Sequence, residues 1–357
     1  MKFIQKIDRK LVDVAIEKGI NYLWSLNKNG RWSGFPTLAG ESDIWVTGFI
    51  LSHISKLSNH TDAIKVSQKF LLNSRQPSGG WSYSDVVPPD ADSTAWCLLA
   101  LEECPELAEP ALEQARTFLW THFLGHGVST FTNTSSICEF IAAETNMSVS
   151  GWTAPHTDVS IAAALADSHH ENVPKIVSWL IEQQANKGLI SSYWWRGPYY
   201  TTTLLLRVLS MQNLLLPNKS SKKIVSALIQ RQLSDGGFAL ETSTTKDPFN
   251  TALALESFCR LPDLGQQQEK TNCGTALLQS QQENGSWAGD FTMRIPAPDV
   301  LDPDLNASWN NADGGGNSFI DDKDGLFATA MACYALDCWR QAESLEYNSS
   351  KPKTSKV

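Results

Sequence analysis

Asp90 and Asp92 stand two residues apart in PPDADSTAW, residues 88–96, where two prolines give way to an apolar run. Asp158 holds a comparable place in HTDVSIAAALA, residues 156–166. An acid just ahead of an apolar run ordinarily caps a helix or complements its positive end, and Asp90 fits that role. Carboxylates close together in an apolar setting behave differently. Repulsion and burial both oppose ionisation, so one of them keeps its proton near neutral pH. A protonated carboxyl of that kind can protonate a weakly basic, apolar compound. Whether Asp92 and Asp158 meet depends on the elements that carry them.

Those elements repeat. LNKNGRW around Gly30 recurs as RQPSGGW around Gly79, QANKGLI around Gly188, QLSDGGF around Gly236 and QQENGSW around Gly285, with HFLGHGVSTF around Gly127 filling the remaining place. The shared pattern is Gln-x-x-x-Gly-x-Trp, and the glycines are 49, 48, 61, 48 and 49 residues apart, which makes six units. An amphipathic segment of helical periodicity precedes each turn, as in KLVDVAIEKGINYLW and NVPKIVSWLIEQQ. A more uniformly apolar one follows it, as in TAWCLLAL and SIAAALAD, and needs burial on most sides. Two helices per unit predict an all-α fold: one α6–α6 barrel of helical hairpins, amphipathic helices outside and apolar helices inside. An open solenoid has a similar period but gives no reason for a recurrent aromatic turn.

The inner helices align on a hydroxyl residue: Thr47, Thr94, Ser160, Thr203, Thr251 and Thr329. Four positions earlier stand Asp43, Asp90, His156, Tyr199, Asp247 and Gly325, an acid in three units and therefore a capping place. Two positions earlier stand Trp45, Asp92, Asp158, Thr201, Phe249 and Phe327. Three of these are large aromatics, which points the position inward. Two carboxylates among them are costly unless paired or neutral. Their units are consecutive, so in a ring they are neighbours.

Composition bounds the partner. A net charge of -9 excludes a nucleic-acid binder, which needs clustered Lys and Arg. Seven cysteines, odd in number and without a C-x-x-C pair, suggest neither a disulfide framework nor a zinc ribbon, and fit a reducing, cytoplasmic setting. The start, MKFIQKIDRK, lacks the apolar core of a signal peptide, and no run reaches the roughly 18 apolar residues of a spanning helix. Thirteen tryptophans place an unusual share of aromatic surface in the core or around a cavity.

The stretch Asp90-Ala91-Asp92-Ser93-Thr94-Ala95 resembles the Asp-x-Asp-Asp-Thr-Ala motif of class II terpene cyclases, the family of squalene-hopene cyclase. The Gln-x-x-x-Gly-x-Trp turns resemble that family's QW motifs, and together the two cover nearly the whole chain. The resemblance implies an α/α barrel with the proton donor at the middle acid, Asp92. Relatives usually have two or three helical domains, whereas this length allows one barrel, expected over 1–345 with a polar tail over 346–357. It further implies a linear polyprenyl substrate, such as a geranylgeranylated dihydroxybenzoate, cyclised without metal or other cofactor. Ser93 replaces the last acid of the bacterial motif, which leaves open whether an alkene or an epoxide is protonated. Asp158-Val159-Ser160 resembles the Asp-Val-Thr of hopene cyclases, whose supporting histidine lies four residues after the acid, where this chain has Ala162. His156 is the nearest substitute. Asp158, alone or with His156, is then the group that orients and reprotonates Asp92.

A carbocation reacts with water, so such a site has to be dry and lined by aromatic faces, each worth about 2 kcal/mol when desolvated. Trp45, Phe249 and Phe327 come from the inner-helix alignment. SSYWWRGPYYTTT adds Trp194, Trp195, Tyr199 and Tyr200, with Arg196 as a candidate partner for a substrate carboxylate. Two inserts, 124–155 and 286–325, are long for loops and carry Trp152 and Trp309 as candidate lid residues, with glycine-rich NNADGGGNSF expected to be mobile. Asp302, Asp304 and Asn306 read as loop rather than as a calcium site. Two rival readings are an α/α-barrel glycoside hydrolase, which also uses paired carboxylates and tryptophan platforms but needs a wetter cleft, and a non-catalytic helical-repeat binding scaffold. A peripheral contact with a membrane and the oligomeric state stay open.

Overall fold

A computed structural model of the chain describes residues 8–102, 104, 109–132, 134–142, 147–240, 243–309 and 314–349. The amphipathic segments form the outer layer: α1 (Arg9–Leu26), α3 (Thr61–Asn73), α5 (Glu109–Trp120), α8 (Val173–Lys187), α10 (Asn218–Arg231) and α12 (Gln267–Ser280). The apolar segments form the inner layer: α2 (Ile44–Ile54), α4 (Ala91–Leu101), α7 (Thr157–Ala166), α9 (Tyr199–Met211), α11 (Pro248–Arg260) and α13 (Leu326–Ser349). One further helix, α6 (Thr134–Phe140), lies in the first insert. The division follows from the faces. On α3, Ser67, Gln68 and Leu71 are buried while Asp62, Lys65 and Lys69 are exposed, whereas α4 is buried on nearly every side.

The inner helices close on themselves. Helix α2 packs on α4, α4 on α7, α7 on α9, α9 on α11 and α11 on α13, and α13 returns to α2. That last contact excludes an open solenoid. At Gly48 the helices approach so closely that a Cβ would stand 3.1 Å from the Cys97 backbone nitrogen. Outer helix α1 packs against α13 and so joins the first unit to the last.

The repeated turn has a mechanical explanation. In the last unit Gln281 Nε2 donates to Gly285 O at 2.9 Å and to Ala15 O of α1 at 2.8 Å. Trp287 Nε1 donates to Leu277 O of its own outer helix at 2.8 Å, and Trp287 N donates to Thr329 Oγ1 of the inner helix at 3.0 Å. Gln therefore fastens the turn to the next unit, and the aromatic residue fastens outer helix to inner helix. Gly285 has φ +93°, and a Cβ there would meet Lys18 O at 2.5 Å, so the turn requires glycine twice over. Trp32 and Trp81 repeat the indole bond, to Leu23 O and Leu71 O, both at 2.6 Å.

Two details of the repeat differ from the sequence alignment. In the third unit the left-handed glycine is Gly125 at φ +79°, and Val128 N takes the Ser160 hydroxyl at 2.7 Å. In the fourth unit Ile190 N bonds Thr202 Oγ1 at 2.9 Å, so Thr202, not Thr203, is the aligning hydroxyl. Three consecutive threonines hide that register. Thr203 instead reaches across to α11, where its hydroxyl bonds Leu253 O and Ser257 Oγ.

Short antiparallel pairs decorate the rim where inner helices begin: β1 (Gly34–Thr37) with β2 (Gly40–Ser42), β3 (Val128–Ser129) with β4 (Pro155–His156), and β5 (Met293–Ile295) with β6 (Ser318–Ile320). The two inserts meet: Pro298 O accepts from Gly151 N at 2.8 Å, and Pro296 O from Trp152 Nε1 at 3.0 Å. Residues 310–313 of the glycine-rich stretch, and the expected tail from 350 onward, lie outside the described residues. Among the described residues no helix is long and apolar enough to cross a membrane.

Candidate active site

With the register set by the hydroxyls, the position two residues earlier holds Trp45, Asp92, Asp158, Tyr200, Phe249 and Phe327, one from each inner helix. Tyr200 thus replaces Thr201 in this circle. Its members touch or act on their neighbours. Trp45 Nε1 donates to Asp92 Oδ2 at 2.9 Å, Tyr200 lies 6.4 Å from Phe249 between ring centres, and Phe327 lies 4.8 Å from Trp45. Asp158 and Asp92 are near enough for each to raise the Tyr200 hydroxyl, and for Asp158 to raise Asp92.

A cavity of about 830 Å³ descends from the rim onto this circle. Trp45, Tyr83, Phe131, Trp152, Trp194 and Trp195 supply its aromatic wall, Ile295 and Pro298 part of its aliphatic wall, and Asp90 and Asp92 its acids. On β5, Met293 and Ile295 face the cavity while Arg294 turns away to pair with Asp304 at 2.9 Å, as strand alternation requires.

The acids do different work. Asp90 is the N-cap of α4: its Oδ1 accepts from Ser93 N at 2.8 Å and its Oδ2 from the Ser93 hydroxyl at 2.7 Å. Burial lifts it to about 6 against those bonds. Asp92, two residues further on in the first turn, is partly open to the cavity. Burial, then Asp90, then Asp158 push it well above the usual carboxylate range, and the indole N–H groups of Trp45 and Trp96 pull the other way. It is held as a neutral acid. Asp158 is buried, with Oδ2 accepting from Trp194 N at 2.7 Å and Oδ1 from Val159 N at 3.1 Å. Burial raises it, and the amides of Trp194 and Tyr193 oppose the rise. It pins the aromatic segment beside Asp92 without bonding Asp92 directly.

Asp43 departs from the capping pattern: it makes no cap bond and pairs instead with Arg31 at 3.0 Å. Asp247 does cap, bonding Asn250 N at 2.8 Å.

His156 does not take up the expected place beside the donor. Its Nε2 donates to Gly151 O at 2.8 Å, which leaves Nδ1 to accept from the Thr130 hydroxyl at 2.8 Å. Burial drives the imidazole down to about 3, so it is neutral, and it stacks on Tyr193 at 3.8 Å. A neutral ring tied at both nitrogens holds the first insert in place and has no proton to give Asp92.

Of the aromatic candidates, Trp45, Trp152, Trp194 and Trp195 line the cavity. Tyr200, Phe249 and Phe327 lie behind Trp195, which stacks on them at 4.4, 5.1 and 5.8 Å. Tyr199 points the other way, with its ring 5.5 Å from Phe238 in the fifth unit's turn. Adjacent residues on a helix diverge by about 100°, so Tyr199 and Tyr200 cannot both face the axis. Trp309 is not brought to the cavity either: it stacks on Phe319 at 4.8 Å, and Arg196 lies over the same Phe319 at 3.8 Å. Arg196 also donates to Phe291 O at 2.9 Å and is not a cavity residue.

Tyr83, Thr130 and Phe131 line the cavity and were not singled out in the sequence. Nothing in their local pattern marks them, since they come from rim loops. Trp96 was legible: it stands four residues after Asp92, on the same helix face. Among the described residues no group of three His, Cys, Asp or Glu side chains is arranged to hold a metal ion.

The closed double ring of helical hairpins, opening through an aromatic cavity onto an aspartic acid raised by burial and by two neighbouring acids, is similar in architecture to the single-domain type II terpene cyclases. A model of the prenyltransferase alpha-alpha toroid domain matches residues 195–305. The chain is similar to the type II terpene cyclase MstE from Scytonema, solved as variants in complex with geranylgeranyl dihydroxybenzoate as substrate and with merosterolic acid A as product. In each case the TM-score is 0.85 with 25% identity, over 93% of this chain and 98% of that one. It is also similar to a protein from Actinoplanes, with TM-score 0.82 and 27% identity, over 92% and 99% of the two chains.

Proposed function

We propose that the chain cyclises a linear polyprenyl compound bearing an aromatic head, such as a geranylgeranylated dihydroxybenzoate, and that Asp92 is the acid that starts the reaction. The observation that carries this reading is the Asp92 carboxyl itself, raised and partly open at the inner end of an indole-lined cavity. The Asp92 O–H bond breaks as a C–H bond forms at the less substituted carbon of the terminal double bond, which leaves a tertiary cation. Each ring closure converts one π bond into a carbon–carbon σ bond and moves the charge along the chain. Loss of a proton from carbon at the end restores neutrality, and the product is an isomer of the substrate.

Trp45, Trp152, Trp194 and Trp195 face the migrating charge and exclude water from it. Asp158 acts by position: it holds the Trp194 backbone and keeps a second acid beside Asp92, which favours the protonated donor. The complexes of MstE support a prenylated aromatic as the substrate class. The test is incubation of the purified chain, in buffer with chelator, with geranylgeranylated dihydroxybenzoate, geranylgeranyl diphosphate and squalene. Cyclic isomers of the first are the expected products, and acyclic recovery of all three sinks the reading.

A further inference from the structure

Three buried polar atoms around the donor lack a hydrogen-bond partner: Asp92 Oδ1, Trp96 Nε1 and Tyr200 Oη. They belong to one place. Trp96 is one turn beyond Asp92 on α4, so the two side chains leave the same face. Tyr200 occupies the place on α9 that Asp92 occupies on α4. The Trp96 indole N–H lies near enough to both groups to oppose the effect of burial on each. A buried N–H without a partner is costly, and beside a reactive acid a partner gained in another state accounts for it.

That other state is the donor after it has given up its proton. In the neutral acid, Oδ2 is already engaged by Trp45 at 2.9 Å. Once the proton leaves, Oδ1 takes half of a negative charge and becomes the strongest acceptor in the neighbourhood. We propose that Trp96 is a positioning residue for proton transfer, its indole N–H bonding Asp92 Oδ1 in the carboxylate, so that Trp45 and Trp96 together supply one N–H to each oxygen of the spent donor. A donor aimed in advance at charge that has yet to develop lowers the barrier without stabilising the starting state. This inference rests on the reading of Asp92 as the acid.

The groups that face Asp92 are Asp90 and Cys97 on α4, Asp158 on α7 and Tyr200 on α9, with Arg207 acting on Tyr200 and neutral His53 beneath Trp96 on α2. Asp90 and Asp158 push Asp92 towards neutrality, and the two indoles favour its charged form. Trp96 also packs on Phe49 at 4.7 Å, so the test separates packing from hydrogen bonding. Trp96→Phe keeps the ring and removes the N–H. The expected result is a titration of the Asp92 carboxyl, followed by its infrared carbonyl band with Asp92→Asn as the blank, displaced to higher pH. A kcat lower by about ten- to a hundredfold accompanies it, the range for one hydrogen bond to a charged group, with KM and product ratio unchanged.

An unchanged titration in a variant that melts normally overturns the proposal. Should Trp96→Phe not fold, the indole N–H resonance of Trp96 decides: it moves downfield as the wild-type donor ionises and stays still in Asp92→Asn, and a still resonance in both overturns the proposal. Failure of the cyclase reading looks different, because the wild type then forms no rings while the carboxyl titration is still measurable.

Discussion

Asp92 and Glu256 are buried acids on inner helices, and they are held in opposite states. Glu256 lies seven residues beyond the circle of Trp45 and Asp92, about 10 Å further along the barrel. Arg207 grips it through Nε and Nη2 at 2.8 and 2.7 Å, and Arg260 adds a third bond at 2.7 Å. His53, neutral because burial and then Arg207 drive it down to about 3, accepts the remaining Arg207 contact at 3.1 Å. Burial alone would raise Glu256, yet the two guanidiniums hold it at about 2. Burial raises Asp92 too, although it is partly open to the cavity, but its charged neighbours are Asp90 and Asp158, and it stays protonated. Depth does not decide protonation here. The sign of the neighbouring charge makes one carboxyl a fastener and the other a reagent.

Moving charge between the two ends tests this contrast. Asp92→Asn removes the transferable proton and leaves the shape, so turnover falls at least about a thousandfold, read as cyclic product by mass spectrometry. The same variant melts higher than wild type at pH 8, because a group whose folded pKa lies above its unfolded value destabilises the fold once pH exceeds the unfolded value. Glu256→Gln strands two buried guanidiniums and lowers stability by about 3–5 kcal/mol in urea unfolding. A loss below about 1 kcal/mol would mean that the pair is not the fastener described.

Trp45→Phe removes the indole bond to Asp92 Oδ2. Its kcat falls about tenfold or more, and the alkaline limb of the pH–rate profile moves upward, since the carboxylate has lost a donor. The acids Asp90, at about 6, and Asp247 and Asp322, both at about 7, are likewise raised by burial. Each makes the folded state bind more protons than the unfolded one, so these three acids make thermal stability decline as pH rises from about 4 to 7. Calorimetric midpoints over that range check the slope. The smallest effect belongs to Asp43→Ala, which breaks only the exposed pair with Arg31 and costs under about 1 kcal/mol.

Much of this arrangement was legible before any coordinates. The Gln-x-x-x-Gly-x-Trp spacing marked the turns because left-handed glycine and an indole that spans two helices leave few substitutes. The hydroxyl alignment isolated Asp92 and Asp158, since carboxyls at a place otherwise held by aromatics stand out. Four things were hidden, each for a physical reason. Thr201, Thr202 and Thr203 can all make the aligning bond, so only the fold chooses Thr202 and with it Tyr200. His156 sits where a helper would, and its bonds to the Gly151 carbonyl and the Thr130 hydroxyl exist only once the insert has folded over it. The cavity residues from rim loops follow no period. Arg196 and Trp309 looked available because a stack on Phe319 is invisible in one dimension.

The return of α13 to α2 has a consequence for how the molecule comes apart. A linear array of hairpins frays from its termini inward and relies on special end units to slow that loss. A circle offers no such starting point, because releasing any one hairpin strips two flanking faces together. Amide exchange is therefore expected to be uniformly slow around all six inner helices, not graded from one edge to the other. A scaffold with that property can tolerate an unstable, uncharged acid on one rim without surrendering the rest.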